Sequence, residues 1–152
     1  MRLFSVKEKQ IIQQLLDQSS RTNTYLPINV FDDIFNGLDV GFYGSGPMEF
    51  IFPHDANGNP SADRMISIYN EILERALLID YLEKDGLIYI VPSSTSVNRM
   101  TTIGNVSRLN RVAMSIDNSI GEILLRCMNR PIYISETLKD YVRSGFMSLE
   151  EQ

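Results

Sequence analysis

The chain has 152 residues, of which 43% are hydrophobic and 22% are charged, and its formal net charge is -5. This length and apolar content are sufficient for one domain with a buried core, and they exclude a wholly disordered chain. The negative balance of charge gives no overall attraction to nucleic acid or to anionic lipid. No apolar run approaches the roughly 20 residues of a membrane-spanning helix, and no secretory signal is recognisable. We therefore expect a cytoplasmic protein without membrane insertion.

Two helices are predicted at the start of the chain. Residues 5–18 carry an apolar stripe at helical spacing, and Ser5 is followed three positions later by Glu8, which is the capping-box pattern. A shorter helix is predicted over residues 28–36, because its apolar residues fall on one side and Gly37 suits a left-handed C-terminal cap.

A glycine-rich segment, residues 41–47, is predicted to be a turn that leads into a short strand at residues 48–52. Prolines on both sides of that strand limit its length. The glycines are not spaced as in a dinucleotide-binding loop, and the segment lacks the lysine of a phosphate-binding loop. Phe42 and Tyr43 are instead candidate interface aromatics, since protein interfaces favour aromatic side chains.

The longest predicted element is a helix over residues 60–85, whose wide apolar stripe indicates neighbours on more than one side. Gly86 ends this helix, and Leu87 is expected to fold back toward Leu82 as in a Schellman motif. A second strand follows at residues 87–91. The outward side of the helix is expected to be acidic, with Glu71, Glu74, Asp80, Glu83 and Asp85 outnumbering Arg75 and Lys84.

The last third is predicted to contain a polar loop, a helix, a strand and a final helix. The first of these helices begins at a capping Ser107 and continues to Cys127, and residues 131–135 form a third short strand. The final helix begins at Ser135 and ends at Gly145. Residues 148–152 are expected to be a C-terminal tail of a single domain that covers residues 1–147; whether a longer chain continues beyond this tail is left open.

These elements predict an α+β fold with four or five helices and a small sheet of two or three strands. The order of the long helix and the strand after it is also compatible with a winged-helix-like topology. Open sheet edges would favour a homodimer in which the edges pair.

The stretch "LIDYLEKDGLIYIVPSS", residues 78–94, raises the alternative of a winged-helix DNA-binding regulator. Against it, the predicted long helix has no turn that would present a separate recognition helix, and its acidic side repels phosphate. In its favour, a basic stretch follows the strand, where Arg99, Arg108 and Arg111 could contact phosphates. Nucleic acid is thus the less favoured partner.

A small enzyme is the second alternative, and it has little support in the sequence. There is one histidine, His54, and one cysteine, Cys127, which lies on an apolar stripe and is expected to be a core residue. No nucleophile elbow and no set of metal ligands is recognisable, so we predict no catalytic, cofactor-binding or metal-binding residue.

The preferred hypothesis is a non-enzymatic regulatory or protein-interaction domain with a protein partner, for which Phe146 is a third candidate interface aromatic.

Overall fold

A computed structural model describes residues 2–21, 27–35, 39–42, 49–53, 62–91, 101–103, 111–127 and 130–147. The helices are α1 (Val6–Arg21), a 3-10 helix (Pro27–Phe31), α2 (Asp32–Phe35), α3 (Ala62–Lys84), α4 (Asn118–Cys127) and α5 (Glu136–Arg143). The strands are β1 (Asp39–Phe42), β2 (Glu49–Pro53), β3 (Ile88–Ile90), β4 (Thr101–Ile103), β5 (Arg111–Ser115) and β6 (Ile132–Ile134). The fold class is α+β, as predicted.

The helix ends follow the local capping signals of the sequence. At the start of α1, the Glu8 amide donates to the Ser5 hydroxyl at 3.1 Å and the Ser5 amide donates to the Glu8 carboxylate at 2.9 Å, which confirms the capping box. At the end of α3, Gly86 has a φ of +71°, and the Leu87 amide donates to the Leu82 carbonyl at 2.8 Å. This is the expected Schellman motif, and it turns the chain from α3 directly into β3.

The strands form two separate antiparallel sheets. One sheet has two strands, in which Tyr89 of β3 lies opposite Tyr133 of β6. The other has four strands in the order β4-β1-β2-β5. The small sheet was expected, but the strand near residues 48–52 does not join it, because β2 pairs with β1 on one side and β5 on the other.

Two segments differ from their predicted conformations. Residues 39–42 form β1, which lies between β2 and β4 and pairs with both. Residues 41 and 42 of this strand were predicted to belong to a turn. Arg111–Ser115 forms β5, where the start of a helix was predicted, and the helix begins only at Asn118. Val112, Met114 and Ile116 alternate with other residues, so the apolar spacing that suggested a helix also satisfies the two-residue period of a strand.

The core is one cluster built from the apolar faces of the helices and the inner face of the β3–β6 sheet. The 3-10 helix contributes Val30 and Phe31, both fully buried. The largest fully buried side chains are Phe31, Ile12, Leu15, Ile72, Leu78, Ile79, Leu82 and Leu124. Helix α3 lies at the centre, without a break along its 23 residues.

Candidate functional site

The β3–β6 sheet presents two tyrosines on its outer face. Tyr89 and Tyr133 are 57% and 62% exposed, and they are direct cross-strand neighbours. Val91, just after β3, is 37% exposed and shares this face by the alternation of the strand. We call these three residues the tyrosine face.

The tyrosine face follows from a short alternating pattern in each strand. Both strands read Ile-Tyr-Ile, and successive side chains of a strand point to opposite faces. Ile88, Ile90 and Ile134 are therefore buried in the core at 3%, 6% and 4% exposure, while the tyrosines point outward. Burial of these isoleucines anchors the backbone beneath the tyrosines to the core.

These tyrosines were not among the site residues predicted from the sequence. The signal was present, because the tripeptide Ile-Tyr-Ile occurs at residues 88–90 and again at residues 132–134. Two strands with the same alternation place like residues on the same face only when they pair in matching register. That register could not be read from the sequence.

The acidic residues of α3 are largely neutralised within the chain. Lys7 pairs with Glu71 and, at 3.1 Å, with Glu74. Asp80 accepts from Lys84 at 2.7 Å and from Arg126 at 2.8 Å. The acidic side that was expected on this helix is thus a set of ion pairs, which reduces its local negative field.

Arg75 is buried, in contrast to the outward position expected for it. Only 9% of the residue is exposed, and its guanidinium donates to the Val30 carbonyl and, at 2.7 and 3.1 Å, to both carboxylate oxygens of Asp33. It therefore ties α3 to the 3-10 helix and to α2. The sequence gave no indication of these contacts, because Val30 and Asp33 lie far from Arg75 in the chain.

Aromatic side chains from both ends of the described chain meet at α5. The Phe4 ring lies 6.2 Å from the Tyr141 ring, which in turn lies edge-on to Phe146 at 5.5 Å. Lys9 lies 5.5 Å above the Phe146 ring. Phe146 was selected as an interface aromatic, and the structure places it half-buried in this intramolecular cluster, at the Schellman turn that ends α5.

A groove with a volume of about 430 Å³ lies between α3 and α4. Asp80 and Arg126 line it, and they are paired with each other. Burial raises the pKa of Asp80, but hydrogen bonds from Lys84 and Arg126 outweigh this effect and hold the pKa below its usual value. A carboxylate with a lowered pKa is a weaker general base than an aspartate with the usual pKa.

Cys127 is fully buried on α4, as the sequence predicted. Burial raises the pKa of its thiol to about 12, which keeps the sulfur protonated at neutral pH. The side chain acts as a small apolar core residue and not as a nucleophile.

The remaining predicted site residues lie at or outside the limits of what the structure describes. Arg99, Arg108 and Tyr43 fall outside the described residues. For Arg111, at the start of β5, and Phe42, at the end of β1, only the backbone position is described. Arg111 pairs with Pro53 of β2, and Phe42 pairs with Thr101 of β4.

Glu8 gives a prediction for the dependence of stability on pH. The hydrogen-bonded guanidinium of Arg2 lowers the pKa of Glu8 below the usual 4.5, against a smaller opposing effect of burial. Because the folded pKa lies below the unfolded one, the stabilisation is complete above about pH 4.5 and is lost as the pH falls through the folded value. We expect Glu8→Gln to lower the free energy of unfolding at pH 7 and to have a smaller effect at pH 3, as measured by urea unfolding.

Glutamine can still accept the Ser5 amide hydrogen bond, so Glu8→Gln isolates the charge from the cap. Lys139→Gln, which removes an exposed surface pair with Glu136, serves as the control. An equal loss of stability from Glu8→Gln at pH 7 and at pH 3 would contradict the conclusion that the ionised Glu8 carboxylate stabilises the fold through Arg2.

Over the described part of the chain, no helix combines the length and the apolar character needed to cross a membrane. Among the same residues, no group of three or more histidine, cysteine, aspartate or glutamate side chains is arranged to hold a metal ion. No protein-family model, curated protein or solved structure matches the chain.

Proposed function

We propose that this chain is a non-enzymatic protein-interaction domain of a regulatory kind, and that the tyrosine face is its contact surface. The observation that carries the proposal is the exposed cross-strand pair of Tyr89 and Tyr133. Tyrosine is enriched at protein interfaces, because it offers a large apolar ring and a hydroxyl that can hydrogen-bond. Residues of this type commonly supply a large share of the binding energy.

The anchoring of the two strands to the core supports the same proposal. Binding costs less when the contacting side chains are held in place before the partner arrives. Here the two strands are fixed by buried isoleucines, and each tyrosine has only two side-chain torsions to order. A partner protein can thus dock without reorganising the sheet.

The cytoplasm is the compartment that we propose for this domain. Its one cysteine, Cys127, is a buried thiol, so the described fold is not stabilised by an internal disulfide. A domain that does not depend on disulfides is suited to a reducing compartment.

Site-specific photocrosslinking in cells tests the proposal. A photoreactive phenylalanine analogue would replace Tyr89 or Tyr133, and Gln10, an exposed residue on α1, would serve as the matched control position. We expect covalent protein adducts from positions 89 and 133 and few from position 10. Absence of adducts at the two tyrosine positions, or an equal yield at position 10, would contradict the proposal.

The DNA-binding alternative has a separate test. A salt-sensitive shift of mixed-sequence DNA in a gel, lost when Arg99, Arg108 and Arg111 are all changed to alanine, would support the alternative in place of the interaction domain. We expect no such shift near physiological salt.

A further inference from the structure

We propose that two copies of the chain join through the outer edge of β6, in an antiparallel register centred on Tyr133, so that their tyrosine faces lie side by side. The inference rests on the proposed function, because it assigns a partner to the same small sheet.

The backbone of β6 has hydrogen-bonding groups directed away from β3. The Ser135 amide donates to the Leu87 carbonyl at 3.0 Å, and the Val91 amide donates to the Pro131 carbonyl at 2.9 Å. In an antiparallel pair, residues whose amides and carbonyls point toward the partner strand alternate with residues whose amides and carbonyls point to the opposite edge. The groups of Ile132 and Ile134 therefore point outward, and within the described residues β6 pairs with β3 alone.

A twofold axis beside Tyr133 allows the outward amides and carbonyls of Ile132 and Ile134 to form hydrogen bonds in both copies. In that register, Ile132 of one copy lies opposite Ile134 of the second copy, and each exchanges hydrogen bonds with the other. The two copies of Tyr133 then face each other in a non-hydrogen-bonded pair, where side chains approach most closely. The tyrosine faces of the two small sheets become one continuous stripe across a four-stranded sheet.

Charges at the two ends of β6 complement each other in this register. Arg130 lies two residues before β6, and Glu136 begins α5 directly after the extended Ser135, so the register centred on Tyr133 brings Arg130 near Glu136 of the second copy. Arg130 has no ion pair with the residues that the structure describes. Glu136 is exposed, and its surface pairs with Lys139 at 3.2 Å and with Arg143 at 4.0 Å leave its carboxylate accessible to a further cation.

The outer edge of β3 lacks this complementarity. Around Tyr89, the positions in the sequence that correspond to Arg130 and Glu136 are Gly86 and Pro92, and neither carries a charge. The β6 edge is thus the better match for self-association. Because a three-residue edge buries little surface, we expect a concentration-dependent dimer with a dissociation constant on the order of micromolar or weaker.

Sedimentation velocity of the full chain over a range of concentrations tests the dimer. Tyr133→Lys would place two ammonium groups directly opposite each other at the twofold axis, whereas Tyr89→Lys makes the same change one strand away from it. We expect Tyr133→Lys to weaken the dimer at least tenfold and Tyr89→Lys to weaken it much less. A wild-type chain that stays monomeric at about millimolar concentration, or equal effects of the two changes, would overturn the proposal.

A charge exchange tests the register independently of the tyrosines. Arg130→Glu alone and Glu136→Arg alone each bring like charges together in the dimer, so each should weaken it severalfold. The double change restores opposite charges and should recover most of the affinity. Thermal unfolding by circular dichroism shows whether each variant remains folded, and failure of the folded double variant to recover would overturn the register.

Photocrosslinking at position 133 separates this inference from the function on which it rests. Adducts between two copies of the chain support both. Adducts only with other proteins would leave the interaction domain in place and overturn the self-association. Absence of any adduct would contradict the interaction domain itself.

Discussion

Replacing Phe31 with alanine should lower the free energy of unfolding by about 3–5 kcal/mol, the range for truncating a buried phenylalanine. Phe31 is fully buried at the end of the 3-10 helix and is among the largest completely enclosed side chains described. Its removal leaves a cavity in the core between the helices, which the surrounding side chains can fill only in part. Guanidinium unfolding, followed by circular dichroism, measures the loss as a shift in midpoint.

Two variants control for the effect of Phe31→Ala. Phe31→Leu retains most of the volume and should cost roughly 1 kcal/mol or slightly more. Leu3→Ala removes an apolar side chain that is 82% exposed, and should change stability by less than about 0.5 kcal/mol. A cost for Phe31→Ala similar to that of Leu3→Ala would show that the 3-10 helix is not docked in the core.

Arg75→Leu should lower the free energy of unfolding by about 2–3 kcal/mol. The change removes the donors to the buried Val30 carbonyl and to the Asp33 carboxylate, and an unsatisfied buried acceptor costs about 1–3 kcal/mol by itself. The Asp33 side chain is 68% exposed, so solvent compensates part of its loss. The expected cost therefore lies below the 3–5 kcal/mol seen when a fully buried pair is broken.

Arg75→Lys separates charge from geometry at the same position. Lysine retains the positive charge but cannot donate to two carboxylate oxygens in the planar arrangement of a guanidinium. We expect it to recover less than half of the loss in urea unfolding. Lys84→Ala, which removes an exposed pair with Asp80, should cost less than about 1 kcal/mol. Full recovery by lysine would show that charge alone explains the role of Arg75.

The helix ends could be predicted from sequence because their causes are local. Ser5 and Glu8 satisfy each other's backbone amides within one turn, and Gly86 adopts the positive φ that ends α3. The fold class followed from the same reasoning. Cys127 was also placed correctly in the core, because its position on an apolar stripe depends only on spacing.

What could not be predicted depends on contacts between distant segments. The spacing around Val112 fits both a helix and a strand, and pairing with β2 decides in favour of the strand. The burial of Arg75 depends on Val30 and Asp33, which only the folded chain brings near. The candidate surface was missed for the same reason, since the exposure of Tyr133 depends on which face of β6 meets the core.

The two strands of the small sheet are separated in the chain by β4, β5 and α4. Neither strand can supply both aromatic rings, so a short synthetic peptide from either region would not reproduce the recognition surface. An antibody raised against the assembled pair would therefore report on native structure and would lose its epitope on denaturation. During synthesis, this epitope can form only after β6 has left the ribosome, so a partner that contacts both rings binds only chains in which β3 and β6 have paired.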